Sequence, residues 1–417
     1  MHSKAPSHPR GAEASAKHQV TYIFVLGAVF MLSPFAIDMY LPALPTIATS
    51  LGTGIDELEM SVSIFLVAVA VGQLVLGPIS DAVGRLRVLF GGLAVFLVAS
   101  LMIAQAETLM AFYTWRFVQA VGAAAGVGII PMVQDRFGEE KSSKVISYLM
   151  ITTIVGAVIA PLAGGVTLSY IGWPAIFVVL ALLGGAAILA MAVFIREPDF
   201  TPRKISLGQI GSGYASVLSN RRIMSALLTG AFAIGGLFAF VAGSPFVYIK
   251  YFGVAPEQYG FLMGLNAIAM ILANVVNAEL LGAQKSQSKA LAGAVLLAAS
   301  GLIACVVAVA DGGLILLLCA IVIFAGALEF VATNAIVTAM TVMPSQNGTV
   351  SAISGAAGFA LGGVSSAIVG YLPSVDALPM TAAMAVCGVM ASVCAISLGR
   401  TEPRGPMPDA GRKRGVN

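Results

Sequence analysis

The stretch Val20-Thr21-Tyr22-Ile23-Phe24-Val25-Leu26-Gly27-Ala28-Val29-Phe30-Met31-Leu32-Ser33-Pro34-Phe35-Ala36-Ile37-Asp38-Met39 is a predominantly apolar run with a single charge, Asp38. A helix crosses the hydrocarbon core of a bilayer in about 20 such residues. The run is too long for the apolar core of a cleaved signal, which takes about 7–15 residues. Similar runs recur along the chain, at 20–46, 60–79, 88–106, 109–133, 145–169, 174–195, 223–250, 259–281, 289–309, 314–340, 348–372 and 378–398. The fold class they imply is an all-α integral membrane protein of about twelve transmembrane helices. Composition agrees: 59% of the 417 residues are hydrophobic and 10% charged, against about 25% charged in soluble chains. With mean hydropathy +0.96, lipid is the expected solvent for most of the molecule.

Polar breaks divide the chain. Residues 1–19 read as a disordered cytoplasmic tail, 20–195 as a six-helix half, 196–222 as a cytoplasmic linker, 223–398 as a second six-helix half, and 399–417 as a basic cytoplasmic tail. Lys and Arg gather on cytoplasmic loops. Placing both termini inside gathers the basic residues of the two tails, the linker, Arg85, Arg87, Arg136, Lys141, Lys144, Lys285 and Lys289 on that side. Of the 22 Lys and Arg residues, only Arg116 and Lys250 are left over. The net charge of +3 thus reports topology and gives no reason to expect nucleic acid. The expected location is the inner (plasma) membrane.

The halves echo one another, as in transporters built from structural repeats. Ser33-Pro34-Phe35 with Tyr40 matches Ser244-Pro245-Phe246 with Tyr251, and Gly164-Gly165-Val166 with Gly172 matches Gly362-Gly363-Val364 with Gly370. Further motifs carry a family resemblance. Gly77-Pro78-Ile79-Ser80-Asp81-Ala82-Val83-Gly84-Arg85-Leu86-Arg87 resembles the signature between spans two and three of the major facilitator superfamily, with Ala82 and Leu86 where that family usually has basic residues. Arg116-Phe117-Val118-Gln119-Ala120-Val121-Gly122 resembles its fourth-span motif, and Gly156 through Pro161 to Gly164-Gly165 its fifth-span antiporter motif. The segment from Ser33 to Pro45 is similar to the first span of twelve-span drug:proton antiporters in the bicyclomycin and chloramphenicol resistance branch. The resemblance implies two pseudo-repeat halves and export of small organic molecules against inward proton movement. It also implies that an acid of span one and the Arg of span four serve in coupling and recognition.

Ionisable groups inside a span are costly unless paired or facing water, so each is a functional candidate. Asp38, Arg116 and Glu329 are the three picked out here. Asp38 and Arg116 fall at similar depths, roughly 10 to 12 Å from the outer end of their spans at 1.5 Å per residue. They are expected to be able to pair, either for proton exchange or simply to hold two helices together. Glu329, with Thr333 and Asn334 nearby, reads equally as a second protonation site or as a hydrogen-bonded carboxyl between helices. Met263, Asn266, Met270, Asn274 and Asn277 share one helical stripe. Thioether and amide groups suit an adaptable cavity, and interhelical hydrogen bonding explains the asparagines as well. Met31, Phe35, Gln119 and Asn334 complete the candidate cavity. Gly77, Asp81, Gly84, Arg85, Gly156, Pro161, Gly164 and Gly165 are the candidate gating residues, with Asp81 expected to dock on the start of span eleven. Lys250 reads as a lysine snorkelling at the outer boundary.

Cys305, Cys319, Cys387 and Cys394 lie in apolar runs and are expected to be free thiols; His2, His8 and His18 are confined to the tail. No metal and no cofactor are expected, with the proton gradient as the energy source. The expected partners are protons, a small-molecule substrate and the bilayer, for a monomer. Transport of a natural metabolite such as an amino acid, purine or sugar derivative is the alternative. A membrane-embedded enzyme or receptor lacks support, since the chain has neither a GK[ST] phosphate loop nor HExxH.

Overall fold

The computed structural model describes residues 9–195, 207–277, 284–343, 347–372 and 375–400. Among them, eleven helices are long and apolar enough to cross a bilayer: Gln19–Leu51, Ile55–Ser80, Arg85–Ile103, Leu109–Val133, Trp173–Phe194, Arg221–Tyr251, Pro256–Val275, Ser286–Val309, Gly313–Val342, Thr349–Tyr371 and Leu378–Leu398. The shorter apolar helix Val155–Tyr170 takes the place of the fifth span. Numbered in chain order as spans one to twelve, they return both termini to one face, the terminal face; the other is the distal face.

Three elements differ from the sequence reading. The first helix begins at Pro9, inside the stretch expected to lack structure. The polar segment between spans four and five lies within one helix, Ile129–Tyr170, with no proline between Pro131 in its first turn and Pro161 to stop it. The linker holds a helix, Leu207–Ser219. Its positions 207, 210, 214 and 217 recur at helical spacing, and Val217 is buried against Ile223, Leu227, Ala339, Val350 and Leu398 of the second half. Interleaved Gly and Ser residues hide this amphipathic stripe in the sequence.

Span one is broken. Its helix Pro9–Phe30 is followed by Leu32–Asp38, a tight turn over Leu41–Ala43, and Leu44–Leu51, with Pro42 and Pro45 each at the start of a new segment. Proline fixes φ and lacks an N–H, so it tolerates helix starts and disrupts interiors. The matching place in span seven is irregular too, where Phe246–Tyr251 widens into a π-type turn after Pro245.

The repeated glycine pairs show how the halves fit. A Cβ on Gly164 would lie 1.8 Å from the Met39 carbonyl oxygen of span one, and one on Gly362 would lie 2.5 Å from Phe238 of span seven. In each pair the first glycine packs against its own half. The second faces the other half: a Cβ on Gly165 would stand 2.8 Å from the Pro256 carbonyl oxygen of span eight, and one on Gly363 2.5 Å from Val67 of span two. Spans five and eight, and two and eleven, thus form the seam between halves. Close backbone approaches across it gather towards the distal face, at Gly260 against Leu162 and at Gly370 against Asp56 and Met60. The Ser63 hydroxyl donates to the Gly363 carbonyl at 2.5 Å, and Ser169 donates to the Glu257 carboxylate.

Glycine is required at Gly164 by this contact, whereas nothing lies within 4 Å of a Cβ on Gly77. Gly164→Ala should cost about 1–3 kcal/mol or more, because the backbone must move to admit a methyl. Gly77→Ala should be neutral or slightly stabilising. Thermal unfolding of the two purified variants in one detergent checks this, and equal midpoints would contradict it.

Candidate functional site

The break in span one creates the site. The last carbonyls of a helix have no intrahelical donor, and Ala36 is among them in Leu32–Asp38. Arg116, 0% exposed on span four, supplies one: its Nη1 donates to the Ala36 carbonyl at 3.1 Å and to Gln119 Oε1 at 2.6 Å. Gln119 Nε2 in turn donates to Ser100 Oγ at 2.7 Å. The guanidinium lies 4.3 Å from the centre of the Tyr40 ring and 4.4 Å from that of Phe65. Such desolvated cation–π contacts contribute about 2 kcal/mol. Tyr40 is held by a 2.9 Å hydrogen bond with Ser61 and packs on Phe112 and Phe177.

The expected pairing of Asp38 with Arg116 is not made. The guanidinium is committed to Ala36, Gln119 and two rings, while its Nε and Nη2 have no hydrogen-bond partner. Asp38 ends its helix segment at 8% exposure, beside the guanidinium's anchor yet outside its hydrogen bonds. Similar depth therefore did not amount to contact: the Asp38 carboxyl does not reach the two guanidinium nitrogens that remain free.

The stripe on span eight divides. Asn277 accepts from Asn334 Nδ2 of span ten at 3.0 Å, and Asn334 also donates to the Phe330 carbonyl, so these two residues join helices. Asn266, 6% exposed, has neither amide atom hydrogen-bonded. Met263 is buried beside it in the stripe, and Met270 and Asn274 are half-buried. Met31 and Phe35 meet span five at Gly156, where a Cβ would lie 2.6 Å from Met31 Cγ. Glu329 is half-buried and accepts from Thr333 at 3.1 Å.

Of the gating candidates, Pro161 is buried inside its helix. Gly84, at φ 118°, turns span two into span three, where a side chain would be strained. Arg85 begins span three. The side chain of Asp81 lies outside the described residues, as do those of the histidines. Lys250 is exposed in the turn at the distal end of span seven, and the four cysteines are free.

Sequence reasoning missed Glu59. It falls in the run Asp56-Glu57-Leu58-Glu59, read as a polar loop, yet span two begins at Ile55 and buries Glu59 completely. It also missed the tyrosines of the second half. Tyr259 shares a 2.7 Å hydrogen bond with Ser244, and the buried Tyr248 hydroxyl has no partner.

Residues 26–367 match the family model described as Major Facilitator Superfamily. The chain belongs to this superfamily. The superfamily's proteins are transporters, and the chain is not an enzyme. It is 31% identical over 389 residues to an uncharacterized MFS-type transporter, YdgK, of Bacillus subtilis (strain 168), covering 92% of this chain and 96% of that one. It is 29% identical to a bicyclomycin resistance protein homolog of Haemophilus influenzae, over 89% of this chain and 94% of the relative. It is 28% identical to the multidrug resistance protein MdtL of Vibrio parahaemolyticus, over 66% and 70%. The superfamily match and these relatives fit the drug:proton antiporter branch that the first-span motif resembles.

Lysine cannot reproduce the Arg116 geometry, since a point-like ammonium does not span a carbonyl, an amide and two ring faces as a planar fork does. Arg116→Lys should lower stability by about 1–3 kcal/mol, leaving Gln119 or Ala36 without a donor. Thermal unfolding measures the loss, and an unchanged midpoint would show that any cation serves.

Proposed function

We propose that the protein is a proton-coupled antiporter of the plasma membrane that exports small organic molecules, antibiotics among them, by alternating access with both termini cytoplasmic. The observation that carries this reading is Asp38: a buried carboxyl at the end of a helix segment inside span one, outside the hydrogen bonds of the buried Arg116. An ionisable group at such a place inside a span is costly unless it is paired or reaches water, so its charge depends on what approaches it. A substrate arriving at Arg116 Nε and Nη2 or at the Asn266 amide can therefore tip Asp38 between proton-bound and free. The unsatisfied donors and acceptors next to Met263 suit uncharged, polar molecules of varied shape. The names of the Haemophilus and Vibrio relatives support drugs as the substrate class.

The seam supports alternating access. Its close contacts lie on the distal face, outward in this orientation, so they are the contacts that outward opening must break. A ligand biases such a two-state equilibrium only through its differential affinity for the two states. Protons and substrate competing for the Asp38 region would provide that difference.

Expression in a drug-sensitive host should raise resistance to several antibiotics, and Asp38→Asn should abolish it while leaving the protein folded in the membrane. In reconstituted vesicles, efflux driven by a pH gradient should vanish in Asp38→Asn. Wild-type efflux by that variant removes Asp38 from coupling. An unshifted susceptibility panel with altered metabolite secretion would replace drugs by a natural metabolite.

A further inference from the structure

Glu59 makes no bond to Asp38 or Arg116, yet it is the more deeply buried carboxyl. It is 0% exposed, and neither carboxyl oxygen has a hydrogen-bond partner. It lies on span two at the distal end of the seam, in a crevice lined by Gly243, Phe246, Val247, Val369, Met380 and Asp376 of the second half. No Lys or Arg lines this crevice. The titratable groups near enough to act on Glu59 are Asp56 on its own helix, Tyr40 on span one, Tyr259 on span eight and Asp376 before span twelve. None carries positive charge, and Asp376 accepts from the Leu378 N–H. Spans seven and eleven contribute only apolar or glycine positions to the crevice.

An ionised carboxylate sealed in such surroundings costs many kcal/mol and is avoided by keeping its proton. The seam at this place is also where the halves must part. We propose that Glu59 is a second protonation site of the transporter, one that holds a proton while the distal seam is shut and exchanges it with distal water when the seam opens. On release the carboxyl O–H bond breaks, the proton passes to water and the electron pair stays on the carboxylate. Closing reverses the step, so acidity on the distal side closes that gate. The sign follows from linkage: the closed state binds the proton more tightly, so closure is favoured as pH falls. With one proton released, the open-to-closed ratio rises up to about tenfold per pH unit. This rests on the proton-coupled reading above.

The test is a distance measurement between spin labels at Glu107→Cys and Val375→Cys, exposed distal positions on opposite halves. It is made in nanodiscs from pH 5 to pH 9, after replacement of the four native cysteines. It needs no substrate and no gradient, so the Asp38 efflux result is independent of it. The distal distance should lengthen with rising pH, also in the Asp38→Asn background. Glu59→Gln should flatten the response in the closed state, and Glu59→Asp should retain it. Glu59→Met, an apolar replacement of similar volume, should fold at least as stably and stay closed throughout, as apolar replacements of buried charges often do. A wild-type response in Glu59→Gln or Glu59→Met, or no response in the parent chain, overturns the proposal.

Discussion

Where span one breaks after Asp38, backbone carbonyls lose their helical donors in a region where lipid offers no replacement, and irregular backbone survives there only if protein groups satisfy it. Arg116 meets this need through its hydrogen bond to Ala36. The arrangement fixes spans one and four relative to each other and orders Gln119, Ser100, Tyr40 and Phe65 around one guanidinium. It also leaves Asp38 buried with no bond to surrender. A regular helix at this point would have needed no arginine and would have presented no helix end beside the acid.

The second half repeats the architecture with different chemistry. Its span seven is irregular at the matched Ser-Pro-Phe, but the neighbouring polar contact is Ser244 with Tyr259, and no buried arginine stands there among the described residues. Charge is concentrated in the first half, whereas amides and thioethers of span eight supply the second. Asn277 and Asn334 hold the C-terminal half together, while Asn266 is a buried amide without a hydrogen-bond partner.

The sequence made the membrane spans and the two halves legible because hydrophobic length and basic-residue placement are local signals. Asp38 and Arg116 stood out as isolated charges, but partnership is a tertiary property, and the choice of the Ala36 carbonyl as the guanidinium's acceptor is invisible in one dimension. Glu59 was hidden by its company: beside Asp56 and Glu57 it looks like loop, and only the start of the helix at Ile55 carries it inside. The linker helix was masked by its Gly and Ser content for a similar reason. The double-glycine motifs were legible as packing positions, while the division of labour between their two members required the structure.

That division has a mechanical consequence. Gly164 and Gly362 are locked to their own halves, and Gly165 and Gly363 lie against the opposite ones. Any displacement of one half relative to the other must therefore slide along Gly165 and Gly363, while the contacts of Gly164 and Gly362 travel with their own halves. Because neither residue carries a side chain, the sliding surfaces meet with no protruding stub to catch, much as a bearing is ground flat where it turns. Bulk added to the first member of each pair would loosen a half internally, and bulk added to the second would pry the two halves apart where they touch.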